Sequence, residues 1–306
     1  MKSKKKKIIF SVLGIVIGLP LALIAVAILW FRMEGKTNGY VLTSGEKRNY
    51  LLYVPKSYDR SKPTPLIISL HPAASRPAAE MEISRWNELA DEHRFIVVYP
   101  SGSDVPRVWP MGRLSLPRDV QYISDLIDKL EAEYNIDQNA IYADGISNGG
   151  GMAFALSCKL SERIAAVGAV AAAQSLPWDR CGDSRPVPTV AFHGTADTFA
   201  PYQGGSSPVS PDNFPSIPDW TAHVAQRNHC KGDPIETRIS LSVRRLAYVN
   251  CADNADVILY TVEGGGHTWP SGGKPYPEWI TGHTSNEINA GHVLWEFYDQ
   301  HRRGAK

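Results

Sequence analysis

The alternation of apolar and polar positions predicts a chain in which strands and helices take turns. Apolar or alternating runs typical of strands cover residues 48–55, 65–71, 95–100, 139–144, 165–173, 187–193 and 257–262. Helical periodicity covers residues 84–93, 118–134, 219–228 and 285–301, and a further helix starts at residue 150. Because strands that alternate with helices form a sheet covered on both faces, the pattern predicts one doubly wound, mostly parallel α/β domain.

Three stretches lack this periodicity. Residues 33–45 have the composition of a short linker, and residues 101–117, which contain three prolines, are predicted to form a surface loop. Residues 198–218 are rich in proline, glycine and serine, so we expect a long loop there as well. No internal repeat interrupts the α/β pattern.

The first part of the chain has the pattern of a membrane anchor. Lysines at positions 2 and 4–7 precede an almost uninterrupted apolar run at residues 8–31, which as a helix would be about 36 Å long and could cross a bilayer. The run ends in Ile-Leu-Trp-Phe-Arg, a poor cleavage site, so we expect an uncleaved signal anchor rather than a cleaved signal peptide. Residues 1–33 would then form a cytoplasmic basic tail and a transmembrane helix, with residues 34–306 as one domain outside the cytoplasm. Cleavage would instead release a secreted domain.

The charge of the globular part excludes some classes of partner. Six of the 32 basic residues lie before position 33, which leaves 26 basic and 31 acidic residues and a net charge of about −5. We see no basic stripe, so we expect no nucleic-acid partner. Neither a Cys-x-x-Cys nor a His-Glu-x-x-His spacing occurs, and we expect no metal and no other cofactor.

Four cysteines fit a location outside the cytoplasm. Four cysteines allow three pairings, and we favour Cys230 with Cys251 and Cys158 with Cys181. Each bond would restrict the unfolded chain and stabilise the fold by a few kcal/mol. The alternative is a set of buried free thiols.

A short glycine-rich motif is the most informative feature of the sequence. Residues 145–149 read Gly-Ile-Ser-Asn-Gly and lie between the strand at 139–144 and the helix that starts at 150. A serine on such a sharp strand-to-helix turn has a strained backbone and an exposed hydroxyl, and the helix N-terminus behind it favours negative charge. The motif therefore predicts Ser147 as a nucleophile, the alternative being an ordinary glycine-rich turn.

A serine nucleophile needs a base and an acid that orients the base. In the order nucleophile, acid, base, Asp197 follows the strand at 187–193 and His267 follows the strand at 257–262 through a run of glycines. Both would stand at the carboxyl ends of strands, where α/β sheets hold their chemistry. We interpret the histidines His71 and His193, at strand ends, as residues that orient loops by hydrogen bonds.

Two backbone N–H groups are needed to hold a developing oxyanion. One would come from Asn148, the residue after the nucleophile, and the other from the loop after the strand at 65–71. That loop reads His71-Pro72-Ala73. Since Pro72 has no N–H, Ala73 is the expected second donor.

The motifs together resemble one known family. The sequence is similar to the secreted polyhydroxybutyrate depolymerase and feruloyl esterase group of α/β-hydrolases over residues 40–300. The resemblance rests on Leu-His at 70–71, Gly-Ile-Ser-Asn-Gly-Gly at 145–150, Phe-His-Gly-Thr-Ala-Asp at 192–197 and Gly-Gly-Gly-His-Thr-Trp-Pro at 264–270. It implies an α/β-hydrolase fold with Ser147, Asp197 and His267 as the catalytic triad, and a disulfide between Cys230 and Cys251 around an insertion on the lid side.

The chain departs from the group at one position. The group usually has His-Gly at the oxyanion loop, where this chain has His71-Pro72. The loop should be stiffer as a result, which affects rate and substrate fit more than the type of reaction. The sequence also shows no recognisable polymer-binding module or Ser/Thr-rich linker, which argues against efficient attack on solid polyester granules.

The expected activity is that of a serine carboxylic-ester hydrolase that forms an acyl-enzyme. The substrate would be a hydroxyalkanoate oligomer or a feruloyl or acetyl ester, with Trp269, Trp109 and Tyr202 as candidate substrate-binding residues. Two alternatives remain at this point. One is a peptidase of the same fold, and the other is a catalytically weak, membrane-anchored binding protein, which only Pro72 favours.

Overall fold

The computed structural model describes residues 37–104, 106–112, 114–172, 176–181 and 185–304. The predicted basic tail and the predicted membrane span at residues 8–31 lie outside these ranges. In the ranges described, no helix is both long enough and apolar enough to cross a bilayer.

A ten-stranded sheet forms the centre of the molecule. The strands are β1 (Gly39–Thr43), β2 (Glu46–Tyr53), β3 (Thr64–Leu70), β4 (Ile96–Pro100), β5 (Ile136–Ile146), β6 (Ala166–Val170), β7 (Thr189–Gly194), β10 (Ile235–Arg238), β11 (Val243–Tyr248) and β12 (Val257–Val262). They are ordered β1-β2-β4-β3-β5-β6-β7-β12-β11-β10 in the sheet, and the strands from β4 to β12 in this order are mutually parallel. The mostly parallel sheet predicted from the sequence is confirmed.

The register brings the carboxyl ends of the central strands to one edge. Leu70 at the end of β3 pairs with Gly145, and Ile146 at the end of β5 pairs with Val170. Each of the central strands is buried along most or all of its length, as expected for strands covered on both faces. Loops that leave this edge therefore converge on one region of the surface.

Three strands at the sheet edges were not predicted. β1 lies in the expected linker and pairs antiparallel with β2, while β11 and β10 continue the other edge antiparallel to β12. All four residues of β10 are exposed, and β1 and β11 are only partly buried. Edge strands need few apolar residues, so their sequences carry little of the apolar pattern.

Helices cover both faces of the sheet. They are α1 (Pro77–Ser84), α2 (Trp86–His93), α3 (Leu116–Glu133), α4 (Asn148–Lys159), α5 (Ile217–Arg227), α6 (Glu278–Thr281) and α7 (Ala290–Gln300). One apolar cluster contains residues of α3, α4 and α5, and a second contains residues of α1, α2 and α7. This is the doubly wound arrangement that the alternation of elements predicted.

Two helix predictions differ from the structure, and in each a polar residue is the reason. The sequence did not predict α1, because Glu80 is an ionisable residue that is fully buried and breaks the apolar pattern. The last helix begins at Ala290 rather than at residue 285, since the Asn289 side chain caps it by accepting from the His292 N–H at 3.1 Å. The predicted loop at 198–218 contains a small hairpin, β8 (Gly205–Ser207) and β9 (Ser210–Phe214).

Both expected disulfides are present. Cys158 at the end of α4 is bonded to Cys181, and Cys230 after α5 is bonded to Cys251. The prediction of these pairings is confirmed, and the alternative of buried free thiols is excluded for these four residues.

Candidate active site

Ser147 occupies the turn between β5 and α4. Its backbone has φ 57° and ψ −124°, a strained conformation that non-glycine residues seldom adopt, and its N–H donates to Val170 O at 2.9 Å. Glycines make the turn possible, because a Cβ on Gly149 would collide with the backbone of Leu70, and one on Gly145 would collide with that of Leu70 and Gly149. The close packing of β3 against this turn therefore fixes the serine at the carboxyl edge of the sheet.

Asp197 lies in the turn after β7 and accepts four hydrogen bonds. Its Oδ1 accepts from the N–H groups of Phe199 at 2.9 Å and Ala200 at 2.8 Å. Its Oδ2 lies 2.8 Å from Nδ1 of His267 and 3.3 Å from Nε2 of His193. The carboxylate is buried, and its orientation is fixed from two sides.

The electrostatics of Asp197 favour its charged form. Burial alone would raise its pKa, but the hydrogen bonds from His193 and His267 outweigh burial and hold the pKa well below its usual range. A charged Asp197 accepts the Nδ1–H of His267. The neutral imidazole then presents Nε2 as a proton acceptor.

His267 lies on a loop that makes close backbone contacts with its neighbours. Its N–H donates to Thr281 O at 2.6 Å, and the Gly266 N–H donates to His283 O at 2.9 Å. A Cβ on Gly266 would collide with Thr281, and one on Gly194 would collide with Gly265. The glycines before the histidine thus allow the loop to pack between the turn after β7 and the segment that contains α6.

The predicted oxyanion residues flank Ser147. Asn148 is the first residue of α4, and Ala73 lies in the loop after β3, exposed beside the serine. No hydrogen bond among the described residues uses the N–H of Ala73. The predicted interpretation of His71 is confirmed, because its ring holds this loop through Pro72 O and the Gly102 N–H.

Two cavities open beside Ser147 and His267. The larger, about 550 Å³, extends past Trp109, Leu176 and Phe214. The smaller, about 370 Å³, extends past Trp269, Tyr276 and Ile280. Ala73, Ser147, Phe199, Val209 and His267 line both cavities, so the two spaces meet at the candidate catalytic residues.

The three aromatic candidates differ in position. Trp109 lines the larger cavity and Trp269 lines the smaller one, and both are almost fully buried. Tyr202 lines neither cavity. Its hydroxyl lies 2.8 Å from Thr261 Oγ1 and its ring is tilted against His193, which places it behind the acid turn rather than beside a substrate.

The sequence reasoning missed two residues of the site. The ring of Phe199 lies 5.1 Å from the His267 ring and lines both cavities. Tyr276 lines the smaller cavity, with its hydroxyl 3.0 Å from Ser75 Oγ. Phe199 lies two residues after Asp197, and that proximity was an available signal. Tyr276 lies in a stretch without periodicity and gave none.

Metal ligands do not gather in the described part of the chain. Residues of the types His, Cys, Asp and Glu form no group of three or more there that could hold a metal ion.

Comparison with known proteins gives esterases. The chain is 29% identical to feruloyl esterase B of Piromyces equi over 229 residues, which are 72% of this chain and 42% of that protein. It is 32% identical over 166 residues to a bifunctional acetylxylan esterase/xylanase of Neocallimastix patriciarum, covering 54% of this chain and 24% of that protein. The chain thus spans less than half the length of these relatives. No protein-family model matches it.

Solved structures show the same fold. The acetyl xylan esterase from Aspergillus awamori superposes with a TM-score of 0.61 at 13% identity, covering 85% of this chain and 98% of that one. At this identity the likeness concerns the fold alone. The predicted α/β-hydrolase fold and the resemblance to feruloyl esterases are both confirmed.

Proposed function

We propose that this chain, a relative of feruloyl and acetylxylan esterases with the α/β-hydrolase fold, is a serine carboxylic-ester hydrolase. The observation that carries the proposal is the 2.8 Å contact between Asp197 Oδ2 and His267 Nδ1, on the edge of the sheet where the strained Ser147 stands. Both His267 and Ser147 line the same two cavities. These are the parts that a nucleophilic serine requires.

The reaction would proceed through an acyl-enzyme. Ser147 Oγ attacks the ester carbonyl carbon while His267 Nε2 takes its proton, and the N–H groups of Ala73 and Asn148 hold the oxyanion. The tetrahedral intermediate collapses when His267 returns the proton to the leaving alcohol. Water then attacks the acyl carbon by the same route and releases the acid. Asp197 keeps His267 in the required tautomer and stabilises its cationic form.

The substrate class follows from the cavities and the relatives. Two cavities that meet at Ser147 leave space for an acyl group on one side and an alcohol on the other, and the smaller one is lined mainly by apolar and aromatic groups. The names of the relatives favour feruloyl or acetyl esters as substrates. Hydroxyalkanoate oligomers are a second candidate, which rests only on the sequence resemblance.

The proposal extends to the location of the enzyme. Disulfides persist in oxidising compartments, and both pairs of cysteines are bonded. They support a catalytic domain outside the cytoplasm. We propose that residues 8–31 anchor this domain to the membrane, or release it as a secreted enzyme if the segment is cleaved.

Turnover by the full chain and by Ser147→Ala tests the function. The panel holds methyl ferulate, p-nitrophenyl acetate and butyrate, a hydroxybutyrate trimer and a peptide amide, and Ser61→Ala, at an exposed position, is the matched control. We expect the wild type and Ser61→Ala to hydrolyse an ester and Ser147→Ala to lose about 10⁶-fold in kcat. A fluorophosphonate should label the wild type but not Ser147→Ala.

The other outcomes point to the alternatives. Cleavage of the amide in preference to every ester would favour the peptidase. An inert wild type that no fluorophosphonate labels would favour the binding protein. Persistent labelling of Ser147→Ala would remove Ser147 as the nucleophile.

A further inference from the structure

The side chain of Asn148 makes a two-way contact with a distant loop. Its Oδ1 accepts from the backbone N–H of Trp109 at 2.6 Å, and its Nδ2 donates to the backbone carbonyl of the same residue at 2.9 Å. The two residues are 39 positions apart in sequence. The residue that follows the nucleophile therefore holds the loop at residues 102–109, described at 102–104 and 106–109, by a matched donor and acceptor.

That loop in turn holds the loop after β3. Trp109 Nε1 donates to His71 O at 3.0 Å, and the Ala74 N–H donates to Arg107 O at 2.7 Å. The Gly102 N–H donates to His71 Nε2 at 2.9 Å. Three hydrogen bonds thus fix the backbone on both sides of Ala73, whose own N–H remains available.

The His71 ring is locked in one neutral tautomer. A carbonyl can only accept, so Nδ1, 2.7 Å from Pro72 O, carries the proton, and Nε2 accepts from Gly102. The ring is fully buried, and burial lowers its pKa to about 4. The loop that carries Pro72 is therefore held by a group that stays neutral near pH 7.

The far side of the loop at 102–109 is also anchored. Ser103 and Val108 exchange two backbone hydrogen bonds of 2.9 Å, which close the neck of the loop. Ser103 Oγ donates to Asp119 at 2.6 Å, and Asp119 forms a buried ion pair with Arg48 at 2.8 Å. Ser103 and Val108, which close the loop, are therefore tied to α3 and β2 through Asp119 and Arg48.

We propose that the Asn148 side chain is a positioning residue for the oxyanion hole. It sets the distance between the two N–H donors, its own and that of Ala73, through Trp109 and the loop at 102–109. The role depends on the proposed function, because a donor spacing matters only if an oxyanion forms. It also explains how a loop that contains Pro72 keeps Ala73 in place without the backbone donor that proline lacks.

Asn148→Ala tests the proposal, because it removes the contact with Trp109 and keeps the backbone N–H. We expect kcat to fall about 10- to 100-fold with KM nearly unchanged, somewhat less than the loss of an oxyanion donor itself. The inhibition constant of a trifluoromethyl ketone, which forms the oxyanion, should rise by the same factor. Asn286→Ala, at an exposed asparagine, is the matched control and should behave as the wild type.

Two further variants separate positioning from a general loss of structure. Asn148→Asp keeps the acceptor for the Trp109 N–H but sets a carboxylate oxygen against the Trp109 carbonyl, so it should lose at least as much activity as Asn148→Ala. Trp109→Phe keeps a ring in the cavity wall and removes the bond to His71 O, and its effect on kcat should add little to that of Asn148→Ala. Full additivity of the two effects on kcat, or a rise in KM with kcat unchanged in Asn148→Ala, would overturn the proposal.

A measurement without catalysis keeps the test independent of the proposed function. In native-state hydrogen exchange, the Ala74 and Gly102 amides should exchange faster in Asn148→Ala than in Asn286→Ala. Unchanged exchange would overturn the clamp, even in an active enzyme. Absent turnover and absent fluorophosphonate labelling in the wild type would instead overturn the proposed function, while the exchange rates would still decide whether the clamp exists.

Discussion

Two buried aspartates of the same sheet have opposite electrostatics. Asp144 lies on β5, three residues before the nucleophile, and Asp197 lies in the turn after β7; both carboxyl groups are shielded from solvent. Burial raises the pKa of Asp144 to about 7. The pKa of Asp197 lies well below its usual range. Burial alone therefore does not decide the charge of an aspartate in this protein.

The difference comes from the donors around each carboxyl group. Asp144 accepts from Trp86 Nε1 at 3.2 Å and from the Tyr298 hydroxyl at 3.3 Å, and it shares the Ser69 hydroxyl with Glu80. These long contacts with neutral groups do not offset the cost of burial. Asp197 has two backbone N–H donors below 3 Å and two histidines, one of which can carry a positive charge during turnover.

A second buried acid, Glu80, lies near Asp144 and also has a raised pKa. Glu80 on α1 is fully buried, and Ser69 Oγ donates to its Oε1 at 3.2 Å. Burial, and next the charge of Asp144, raise the pKa of Glu80 well above its usual range. Tyr99 and Tyr298 face the same pair and stay protonated, since burial raises the pKa of both. One region is built to keep protons, and the other is built to keep a negative charge.

Among the tests of this contrast, the largest effect should come from removing the charge of Asp197. Asp197→Asn keeps the shape but offers an amide in place of the carboxylate oxygen that accepts from His267, so the imidazole can adopt the wrong tautomer. We expect kcat to fall about 10⁴-fold, as in other triads of this type. Initial rates with the best ester of the panel measure this loss.

The same substitution at Asp144 provides the contrast. Asp144→Asn should change kcat by less than about tenfold, because a carboxyl group that holds its proton near neutral pH resembles an amide. A loss of kcat as large as that of Asp197→Asn would show that catalysis needs a charged Asp144. It would contradict the contrast between the two aspartates.

The second prediction concerns the way in which the free energy of unfolding depends on pH. The folded pKa values of Asp144 and Glu80 are raised, so their contribution to the free energy of unfolding is complete below the unfolded pKa, near 4, and is lost as pH rises toward the folded values. Each such group changes the free energy of unfolding by up to about 1.4 kcal/mol per pH unit in this window. Glu80→Gln should flatten the decline between pH 5 and pH 7.

Urea unfolding at several pH values, with the disulfides intact, measures this slope. The matched control is Glu82→Gln on the same helix, where the side chain is exposed and the slope should equal that of the wild type. Equal slopes for Glu80→Gln and Glu82→Gln would contradict a buried protonated pair.

The sequence predicted the parts of the site that local motifs encode. Ser147, Asp197 and His267 each follow a buried strand, and the parallel sheet brings such positions to one edge. The contact between Asn148 and Trp109 could not be predicted in this way, because it joins distant loops without a repeating pattern. Tyr202 was predicted to bind substrate but lines neither cavity. Its position near Asp197 in the sequence does not determine whether its ring packs toward the cavities or behind the turn of Asp197.

The raised pKa values of Glu80 and Asp144 could not be predicted from the sequence, for a related reason. An acidic residue in a helix is normally predicted to face solvent. Only the packing of α1 against β5 shows that the carboxyl groups of Glu80 and Asp144 are buried in the same part of the core. The same packing explains why α1 was not predicted. Buried polar residues are where an apolar pattern loses its information.

The smallest effect should come from His193, the second histidine beside Asp197. Its Nε2 carries a proton, because it lies 2.7 Å from Ala200 O, and the same N–H reaches Asp197 Oδ2 at the longer distance of 3.3 Å. His193→Phe keeps a ring in this buried position and removes the donor. We expect kcat/KM to fall about fivefold, the value of one modest hydrogen bond.

The loss of stability at low pH distinguishes a role of His193 as hydrogen-bond donor from a role in packing alone. A depressed pKa contributes stability that is present above the unfolded pKa and is lost as pH falls through the folded value, so Asp197 protects the fold in acid. Without the donor, the pKa of Asp197 rises and the loss begins at higher pH in His193→Phe than in the wild type. His193→Gln, whose amide can donate again, should restore much of the difference. A melting temperature lowered equally at every pH would mean that His193 only fills space, and that Asp197 owes its charge to His267 and the two backbone donors.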